Sequence, residues 1–441
     1  MSNQWSDRLS FIVTTAAFSV GLGNIWRFPY IVGEGGGGAF LLVYLILIMI
    51  IGIPIMTIEI SLGRMSSSTP LIGFGKLSRH SLWGRLGWLG VLSAQLIMCY
   101  YVMILAWVVI YFGENYSGNQ AILETADLEN HFTAIASDSR KIISVIFGMM
   151  TVSFFIIRQG LQDGLERYSK YMMLAFIVIL LGLAVWATTL DGAAVGYRWY
   201  LMPDFSKINL QVVLSALGQL FFSIGVGMAI AFAFGSYTNN KENLITSTGW
   251  IVFIDTLFAV LAGLIIFPAI FSFGLSPDSG PNLIFITMVS IFGRLEYGQL
   301  LGSIFFLLLF LAGFTSLLSN LQGLKDSFQD KYNLSSFNAL LFVSGFITIG
   351  SIPVVFSYSD NSVQLFGMTV FGLLDYLTNK IMLPLNGLLI AIFGAYVIGY
   401  EKLKAHLELG AENIKIGNYW KYIIKWIIPI SLLIILFNGI I

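Results

Sequence analysis

The sequence predicts an all-α polytopic membrane protein with about eleven transmembrane helices. Hydrophobic residues make up 57% of the 441 residues and charged residues only 10%, whereas about 25% of a typical soluble domain is charged. Apolar runs of about 20 residues, long enough to cross a hydrocarbon core as a helix, recur along nearly the whole chain. The composition therefore indicates a protein that is embedded in lipid along most of its length.

We number the apolar runs as spans one to eleven, in chain order. They lie roughly at 10–31, 39–63, 86–112, 141–158, 169–189, 210–236, 247–273, 299–327, 337–356, 367–399 and 419–438. Lysine and arginine are concentrated after span two, between spans four and five, and before span eleven. Because basic residues favour the cytoplasmic side, this pattern predicts an N-terminus inside. Two longer outer segments are expected: an acidic, polar one at 113–140, and one at 275–295 that carries a short helix.

Glycines interrupt spans one and six, with Gly21 and Gly23 in the first and Gly225 and Gly227 in the second. Each glycine disfavours a continuous helix by roughly 1 kcal/mol. A break in the lipid interior is tolerated only where it is buried in protein or lines a cavity. The glycines could instead serve only close helix packing. Two such interruptions, five helices apart, favour an inverted-repeat transporter with its site at the breaks.

This spacing predicts two inverted five-helix repeats, with helices 1 and 6 unwound in the middle of the membrane. The first repeat, helices 1–5, is expected at 1–190, and the second, helices 6–10, at 191–400. Residues 401–441 are expected to form a cytoplasmic loop and helix 11.

Two carboxylates lie within apolar spans, where a charge at the helix centre costs about 2.5–3.5 kcal/mol. Glu59 in span two is either solvated through the following loop or accepts hydrogen bonds from amides that are freed where another helix unwinds; we favour the second interpretation. Asp255 in span seven is either protonated or paired with a cation. Sodium is a hard cation that takes oxygen ligands, and Asn24, Ser223 and unwound backbone carbonyls could supply the others.

Two further pairs of polar residues have alternative interpretations. Arg27, just past the first break, and Asp375, at the outer end of span ten, are either ordinary interfacial charges or an ion pair that closes an outer vestibule. Thr315 and Ser316 in span eight either bond back to their own helical turn or coordinate a second sodium ion.

Several other classes of protein are disfavoured. The zero formal net charge argues against a nucleic-acid partner. The single cysteine, Cys99, excludes an internal disulfide framework, and the three scattered histidines suggest no metal cluster. We find no nucleophile elbow or His/Cys/carboxylate cluster of the kind that indicates an enzyme, and no repeated filter of the kind that indicates an ion channel.

Five stretches together resemble the neurotransmitter:sodium symporter family, and its bacterial amino-acid members most closely. They are AFSVGLGNIWRFPY (17–30), GGGAF (36–40), GIPIMTIEISLGR (52–64), GQLFFSIGVGM (218–228) and AGFTSLLSNLQ (312–322). The first stretch is highly specific for the family, and the resemblance covers essentially the whole chain. It implies an integral protein of the bacterial cytoplasmic (inner) membrane whose partners are the surrounding lipid and a small-molecule amino acid.

The resemblance implies two sodium ions. The ligands of the first would be the substrate carboxylate, the carbonyl of Ser19 and the side chains of Asn24, Ser223 and Asp255. The ligands of the second would be the hydroxyls and carbonyls of Ala17, Val20, Ala312, Thr315 and Ser316.

The substrate would lie between the broken helices. By resemblance, its binding residues would be Phe18, Ser19, Leu22, Gly23, Ile97, Tyr101, Phe222, Ser223, Gly225, Met228, Ser316 and Asn320. The substrate carboxylate would meet amides near Leu22 and Gly23, because positive half-helix ends attract an anion. Tyr101 with Phe222 would form a thin lid, and Arg27 with Asp375 an outer gate.

Differences from particular relatives predict the ion requirement. Relatives that transport monoamines have an aspartate where Gly21 stands, so an amino acid is the better ligand. Chloride-dependent relatives have a neutral residue where Asp255 stands. A fixed carboxylate there, with Tyr44, Gln219 and Ser223 around it, predicts transport that is independent of chloride.

The pocket residues favour a large substrate. Gly225 leaves volume, and Met228 is an adaptable thioether that tolerates rings. Asn320 brings an amide into an apolar wall, where it needs a polar partner. Tyrosine or another large aromatic or hydrophobic amino acid would meet these conditions.

The family's inner gate pairs an N-terminal arginine with an aspartate after helix eight. Asp330 matches the aspartate, but Ser2 stands at the position of the arginine, so the sequence leaves that ion pair open. The predicted function is sodium-coupled import of a zwitterionic amino acid by alternating access. An amino-acid sensor on the same fold, which binds without transport, is the alternative.

Overall fold

The computed structural model describes residues 4–78, 80–118, 125–277, 282–359, 362–411 and 416–440. Within these ranges, nine helices are long and apolar enough to cross a membrane, and they correspond to spans two to five and seven to eleven. Their bounds are Gly38–Ser66, Trp83–Ser117, Ser139–Ile157, Leu161–Thr188, Leu244–Ser272, Gly298–Tyr332, Ser336–Tyr358, Val370–Leu407 and Tyr419–Gly439. The helices Arg8–Ser19 and Gly23–Glu34 form a tenth, bent span. Span six is divided into Leu210–Ser223 and Ile230–Ser236.

Shorter elements connect the spans. They are the helices Pro70–Leu77, Thr125–Ser137, Ala193–Leu201 and Leu283–Gly293, and a hairpin in which Gln364–Leu365 pairs antiparallel with Met368–Thr369. The helix Leu283–Gly293 confirms the short helix that was predicted within 275–295.

One predicted boundary is wrong because it was drawn from apolar runs alone. The segment 113–140 was expected to be a loop, but it contains the end of span three and the helix Thr125–Ser137, whose buried stripe includes Leu128 and Ile135. Such a narrow stripe is too sparse to appear as a continuous apolar run. Span ten was expected to end at residue 399, and the backbone does leave the helical conformation at Gly399, with φ +87°, before the separate helix Tyr400–Leu407 begins.

Span one is broken as the sequence predicts. The helix Arg8–Ser19 begins at the N-cap Asp7, whose carboxylate accepts a hydrogen bond from the Ser10 amide at 2.6 Å. This hydrogen bond lowers the pKa of the Asp7 carboxyl. Val20 then adopts an extended conformation, with φ −69° and ψ 106°. The two halves of the span meet at an angle of 53°.

Span six is broken between its two helices, at residues 224–229. Gly225 and Gly227 have φ values of +65° and +91°, and Ala229 lies in the left-handed region with φ +61°. Side-chain bulk is excluded as well: a Cβ at Gly225 would stand 2.5 Å from the ring of Phe18. The glycines of span six therefore serve the break itself, and they do not act only as packing residues.

The helix Ile230–Ser236 packs directly on the backbone of span two. We call it the inner half of span six, because the predicted orientation places it on the cytoplasmic side. A Cβ at Gly63 would stand 1.9 Å from the carbonyl oxygen of Phe232, and a Cβ at Gly235 would stand 2.0 Å from that of Ile60. Neither helix leaves room for a side chain at these points, so the two backbones touch. This contact holds Ile230–Ser236 in place on one side of the break.

We expect Gly63→Ala to lower the melting temperature of the purified protein. The added methyl group has no space, and relieving the clash requires a backbone shift that costs about 1–3 kcal/mol or more. Gly148→Ala in span four is the matched control, because a Cβ there has nothing within 4 Å. Equal melting temperatures for the two variants in the same detergent would contradict the close packing.

Candidate functional site

A cavity with an empty volume of about 450 Å³ lies between the two breaks. It is lined by Phe18, Ser19, Gly21, Leu22, Gly23, Ile97, Met98, Tyr101, Phe222, Ser223, Gly225, Met228, Ser316, Asn320 and Leu383. All the residues that were predicted to bind substrate are in this set. The structure therefore brings them together, and their role in binding stays a prediction.

The break releases carbonyl groups at the end of the first helix. In a continuous helix, the amides of Gly21, Leu22 and Asn24 would bond the carbonyls of residues 17, 18 and 20. Here the Gly21 amide donates to Asn24 Oδ1 at 3.0 Å, the Leu22 amide to the Tyr101 hydroxyl at 3.4 Å, and the Asn24 amide to the carbonyl of Gly21 at 3.2 Å. The carbonyls of Ala17 and Val20 thus lose their helical partners.

Three of the residues predicted for the first sodium site are in contact with one another. Asn24 Nδ2 donates to Asp255 Oδ1 at 2.8 Å and to Ser223 Oγ at 3.3 Å. Ser223 Oγ donates to Asp255 Oδ2 at 2.9 Å. Asp255 is fully buried, and both of its carboxylate oxygens accept a hydrogen bond. Spans one, six and seven are joined at this point by oxygen-rich side chains beside the break.

The two hydroxyls predicted for the second sodium site behave differently. Thr315 Oγ1 donates within its own helix, to the carbonyls of Leu311 and Ala312 at 3.0 Å each. Ser316 Oγ instead reaches across to span one and donates to the carbonyl of Phe18 at 3.0 Å. Both hydroxyls therefore lie close to backbone carbonyls, which are the groups a hard cation binds.

The cavity has a polar end and an apolar end. At the polar end, the Tyr101 hydroxyl bridges the Leu22 amide and the carbonyl of Gly313, which it reaches at 3.2 Å. At the other end, Asn320 Nδ2 donates to the carbonyl of Ser316 at 2.9 Å, whereas its buried Oδ1 finds no donor among the described residues. An unpaired buried acceptor costs about 1–3 kcal/mol, so a ligand with a donor at this end would be favoured.

Glu59 supports the break of span six. The side chain is fully buried, and Glu59 Oε2 accepts a hydrogen bond from the Gly227 amide at 3.0 Å. Asn386 Nδ2 donates to the carbonyl of Gly227 at 2.5 Å. Both backbone groups of Gly227 are therefore satisfied by side chains. This confirms the prediction that Glu59 accepts amides freed by an unwound helix, and the alternative of a loop-solvated carboxylate is wrong.

The predicted ion pair between Arg27 and Asp375 is not formed in this structure. Arg27 lies over the ring of Phe222, at 4.2 Å from the ring centroid, and donates to Gln219 Oε1 at 3.3 Å. Asp375 Oδ1 accepts from Asn379 Nδ2 at 2.6 Å. Each charge therefore has another partner. Both residues border a second cavity, which we call the outer cavity because the predicted orientation places it on the outer side.

The residues predicted to surround Asp255 in place of chloride are only partly gathered. Ser223 contacts Asp255, whereas the hydroxyl of the fully buried Tyr44 has no hydrogen-bond partner among the described residues. Gln219 instead donates Nε2 to the carbonyl of Gly23 at 3.2 Å and accepts from Arg27.

The inner end of the site is closed by aromatic residues. The ring of Trp5 packs on Phe234 and Tyr237, and its Nε1 donates to the carbonyl of Phe234 at 3.1 Å. Asp330 accepts a hydrogen bond from the Thr69 amide at 3.2 Å. Ser2, at the position of the family's arginine, lies outside the described residues.

The sequence did not indicate Met98 or Leu383 as cavity residues. Both are apolar, and neither carries a chemical group that would distinguish it from the many other apolar residues of its span. Leu383 and Phe222 each line both the cavity between the breaks and the outer cavity, so the two side chains separate these spaces. The proline that follows Leu383 was a weak signal of a local irregularity in span ten.

These features define a membrane transport protein with its site between two interrupted helices. The sequence profile of the sodium:neurotransmitter symporter family matches residues 2–127 and 127–441. The chain is 34% identical to a sodium-dependent transporter of Haemophilus influenzae, over 99% of this chain and 97% of the relative. It is 30% identical to the sodium-dependent transporter YhdH of Bacillus subtilis, again over 99% and 97%.

A solved structure has the same fold. The crystal structure of MhsT in complex with L-phenylalanine superimposes with a TM-score of 0.89 at 32% sequence identity, over 99% of both chains. The chain belongs to the sodium:neurotransmitter symporter family. It is a sodium-dependent membrane transporter and not an enzyme, and the predicted fold class is confirmed.

We expect substitution of Glu59 to lower stability in a graded manner. Glu59→Ala leaves the buried Gly227 amide without an acceptor, a loss of about 1–3 kcal/mol, whereas Glu59→Gln keeps a carbonyl oxygen and is milder. The melting temperatures of the purified variants should fall in the order wild type, Gln, Ala. If the alanine and glutamine variants had the same melting temperature, the acceptor at position 59 would not support the break.

Proposed function

We propose that this protein imports a large apolar or aromatic zwitterionic amino acid together with sodium, by alternating access. The observation that carries the proposal is the cavity between the breaks, where the interrupted backbone of span one and the Tyr101 hydroxyl border one end and apolar side chains surround the other. Half-helix N-termini attract a carboxylate, and released carbonyls attract a cation. A zwitterion beside sodium satisfies both requirements in one space.

Two sodium ions are part of the proposal. The first would bind Asn24, Ser223, Asp255 and the Ser19 carbonyl, beside the substrate carboxylate. Support comes from the contacts among the three side chains, which already share one point of the site. A substrate carboxylate that is also a sodium ligand would couple the two binding equilibria reciprocally.

The second sodium ion would bind between spans one and eight. Its ligands would be the carbonyls of Ala17, Val20 and Ala312 and the hydroxyls of Thr315 and Ser316. The release of the span-one carbonyls and the bond from Ser316 to Phe18 support this assignment. At such a site the cation would hold the inner half of span one against span eight.

The ion gradient supplies enough energy for steep accumulation. Each inward charge gains about 2.3 kcal/mol per 100 mV, and a tenfold gradient adds about 1.4 kcal/mol per ion. Two sodium ions then provide roughly 7 kcal/mol, which corresponds to accumulation of a zwitterion on the order of 10⁵-fold. The direction of net transport is set by the sodium gradient and the membrane potential, which both favour inward movement of sodium.

The substrate is proposed to be tyrosine or a similar aromatic amino acid. The unpaired Asn320 Oδ1 offers an acceptor to a phenolic hydroxyl or an indole N–H. Met228 brings an adaptable thioether to the cavity, whereas the space that Gly225 was expected to leave is filled by the ring of Phe18. The solved relative MhsT holds L-phenylalanine, which is consistent with an aromatic ligand. Gly21 carries no charge that would neutralise a lone amine.

Uptake of radiolabelled tyrosine into proteoliposomes is the decisive measurement. We expect saturable uptake with outside sodium and none with choline, and strong inhibition by tryptophan but weak inhibition by glycine. Strong inhibition by glycine with weak inhibition by tyrosine would contradict the aromatic substrate. Sodium-dependent binding without saturable uptake would identify the protein as a sensor.

The variant Asn320→Leu tests the role of the side-chain amide, because leucine has a similar volume and no hydrogen-bond acceptor. It should weaken inhibition by tyrosine about tenfold relative to phenylalanine, as expected for one lost buried hydrogen bond. An unchanged ratio of the two inhibition constants would exclude Asn320 as the residue that recognises the hydroxyl.

Chloride independence is proposed from the fixed charge of Asp255. Two sodium ions and a zwitterion bring positive charge into a buried site, where a counter-charge is strongly favoured. The Asp255 carboxylate lies at this point, fully buried and held by Asn24 and Ser223. A mobile anion is then unnecessary.

Replacing chloride by gluconate on both sides of the membrane should change the initial rate of uptake by less than about twofold, a difference of about 0.4 kcal/mol. Asp255→Ser removes the fixed charge, and we expect the residual uptake of this variant to depend on chloride. A large loss of wild-type rate in gluconate would contradict the proposal.

A further inference from the structure

An apolar groove lies between spans three, eight and nine, and none of its lining residues lines the cavity between the breaks. It has an empty volume of about 760 Å³. The side chains that form it include Trp88, Leu92, Gln95, Phe328, Phe342 and Phe346. Leu92, Phe342 and Phe346 are 42%, 50% and 41% exposed, so the groove faces the hydrocarbon in which these spans lie. It is therefore open to molecules that are dissolved in the membrane.

Aromatic rings form the walls of the groove. The ring of Phe328 packs edge to face against Phe342, with centroids 4.9 Å apart, and against Trp88, with centroids 6.0 Å apart. Phe342 and Phe346 are one helical turn apart on the helix Ser336–Val355, so they lie on one face of span nine. Aromatic rings prefer stacked or edge-to-face contacts with other rings. Walls of this kind favour a flat molecule over a flexible chain.

The base of the groove carries a buried amide. Gln95 is 2% exposed, and its Nε2 donates a hydrogen bond to the carbonyl of Val343 in span nine at 3.4 Å. Because only the amide nitrogen can donate to a carbonyl, this bond fixes the orientation of the amide. Gln95 Oε1 then has no donor among the described residues. An unpaired buried acceptor costs about 1–3 kcal/mol, so a ligand that brings a donor to this point is favoured.

Water and phospholipid are poor sources of this donor. A buried water needs two to four polar partners, whereas the groove around Gln95 is formed mainly by apolar and aromatic side chains. Gln95 follows Arg85, at the inner end of span three, by about 15 Å along the helix axis. This depth is about half of a hydrocarbon core of roughly 30 Å, so a headgroup hydroxyl does not reach it. An acyl chain reaches this depth but has no donor.

We propose that the groove binds a flat, apolar molecule dissolved in the membrane, whose one hydroxyl or N–H group donates a hydrogen bond to Gln95 Oε1. The rings of Trp88, Phe328 and Phe342 contact the apolar body of this ligand, and the amide recognises its donor. The inference goes beyond the proposed function and does not depend on it, because binding in the groove requires neither sodium nor an amino acid.

The groove and the substrate cavity share two helices. Tyr101 of the cavity lies on span three, as Gln95 does, and Asn320 of the cavity lies on span eight, as Phe328 does. An occupant of the groove therefore contacts helices that also form the substrate site.

Photolabelling of the full-length protein in nanodiscs tests the site. The probe is 4-hydroxybenzophenone, a photoreactive molecule with two rings and one hydroxyl donor. The matched probe is 4-methoxybenzophenone, which has the same rings and no donor. Mass spectrometry of the digested protein locates the labels, and we expect them within 88–95 and 342–346. The half-saturating concentration there should be about tenfold lower for the hydroxyl probe, because it alone pairs the buried acceptor.

Two variants separate the amide from the shape of the groove. Gln95→Leu removes the acceptor at similar volume, so the two probes should have equal half-saturating concentrations in this variant. Leu92→Trp keeps the amide and fills the groove, and it should reduce labelling by both probes about tenfold or more. Leu174→Trp is the matched control, because Leu174 is 61% exposed on the span-five helix Arg167–Thr188, outside the groove. Its labelling should equal that of the wild type.

Equal half-saturating concentrations of the two probes in the wild type would show that the groove accepts any apolar molecule, acyl chains included, and would overturn recognition by Gln95. Labels only outside 88–95 and 342–346, or labels there that Leu92→Trp leaves unchanged, would overturn the site itself. If Gln95→Leu does not fold, the two probes on the wild type and on Leu92→Trp still decide. Failure of wild-type uptake would contradict the proposed function alone, since labelling requires no transport.

Discussion

The structure depends on satisfying backbone groups where two membrane helices are interrupted. Lipid offers no hydrogen-bond partner, and each unsatisfied amide or carbonyl there costs several kcal/mol. In this protein side chains take the place of the missing helical partners: Asn24 and Tyr101 at the first break, Glu59 and Asn386 at the second. These side chains come from spans one, two, three and ten. Each break is therefore supported by helices that are remote in sequence, and the surrounding bundle has to form before the breaks are stable.

The same constraint explains why the site has the chemistry it has. Side chains that satisfy one set of backbone groups leave another set, the carbonyls at the end of Arg8–Ser19, without helical donors. At the first break the amide of Gly21 is occupied by Asn24, which leaves the carbonyl of Ala17 without its helical donor. Asn24 at the same time donates to Asp255, so its amide group connects the backbone of span one to the buried carboxylate of span seven. Support of the break and the gathering of oxygen ligands are thus done by the same side chain.

Much of this arrangement could be predicted from the sequence, and the exceptions have physical reasons. Carboxylates are costly inside a membrane, and glycines that recur within one span indicate an interruption, so Glu59, Asp255 and Gly225 could be recognised in the sequence. Met98 and Leu383 could not be recognised, because an apolar residue at a cavity differs from its neighbours only by position. The helix Thr125–Ser137 was missed because its apolar stripe is narrow. The predicted pairing of Arg27 with Asp375 was wrong because a long charged side chain at an open cavity has several acceptors within reach. Which acceptor it bonds depends on how far the cavity is open.

That choice has a consequence for how the outer side is connected to the site. Arg27 bonds Gln219, and Gln219 in turn bonds the carbonyl of Gly23 within the break of span one. The guanidinium also covers the ring of Phe222. This ring and Leu383 separate the outer cavity from the cavity between the breaks. An arginine that turned toward Asp375 would have to leave both the ring and the amide. The outer charge, the ring and the broken backbone are therefore parts of one contact network, and a change at any of them alters the partners available to the other two.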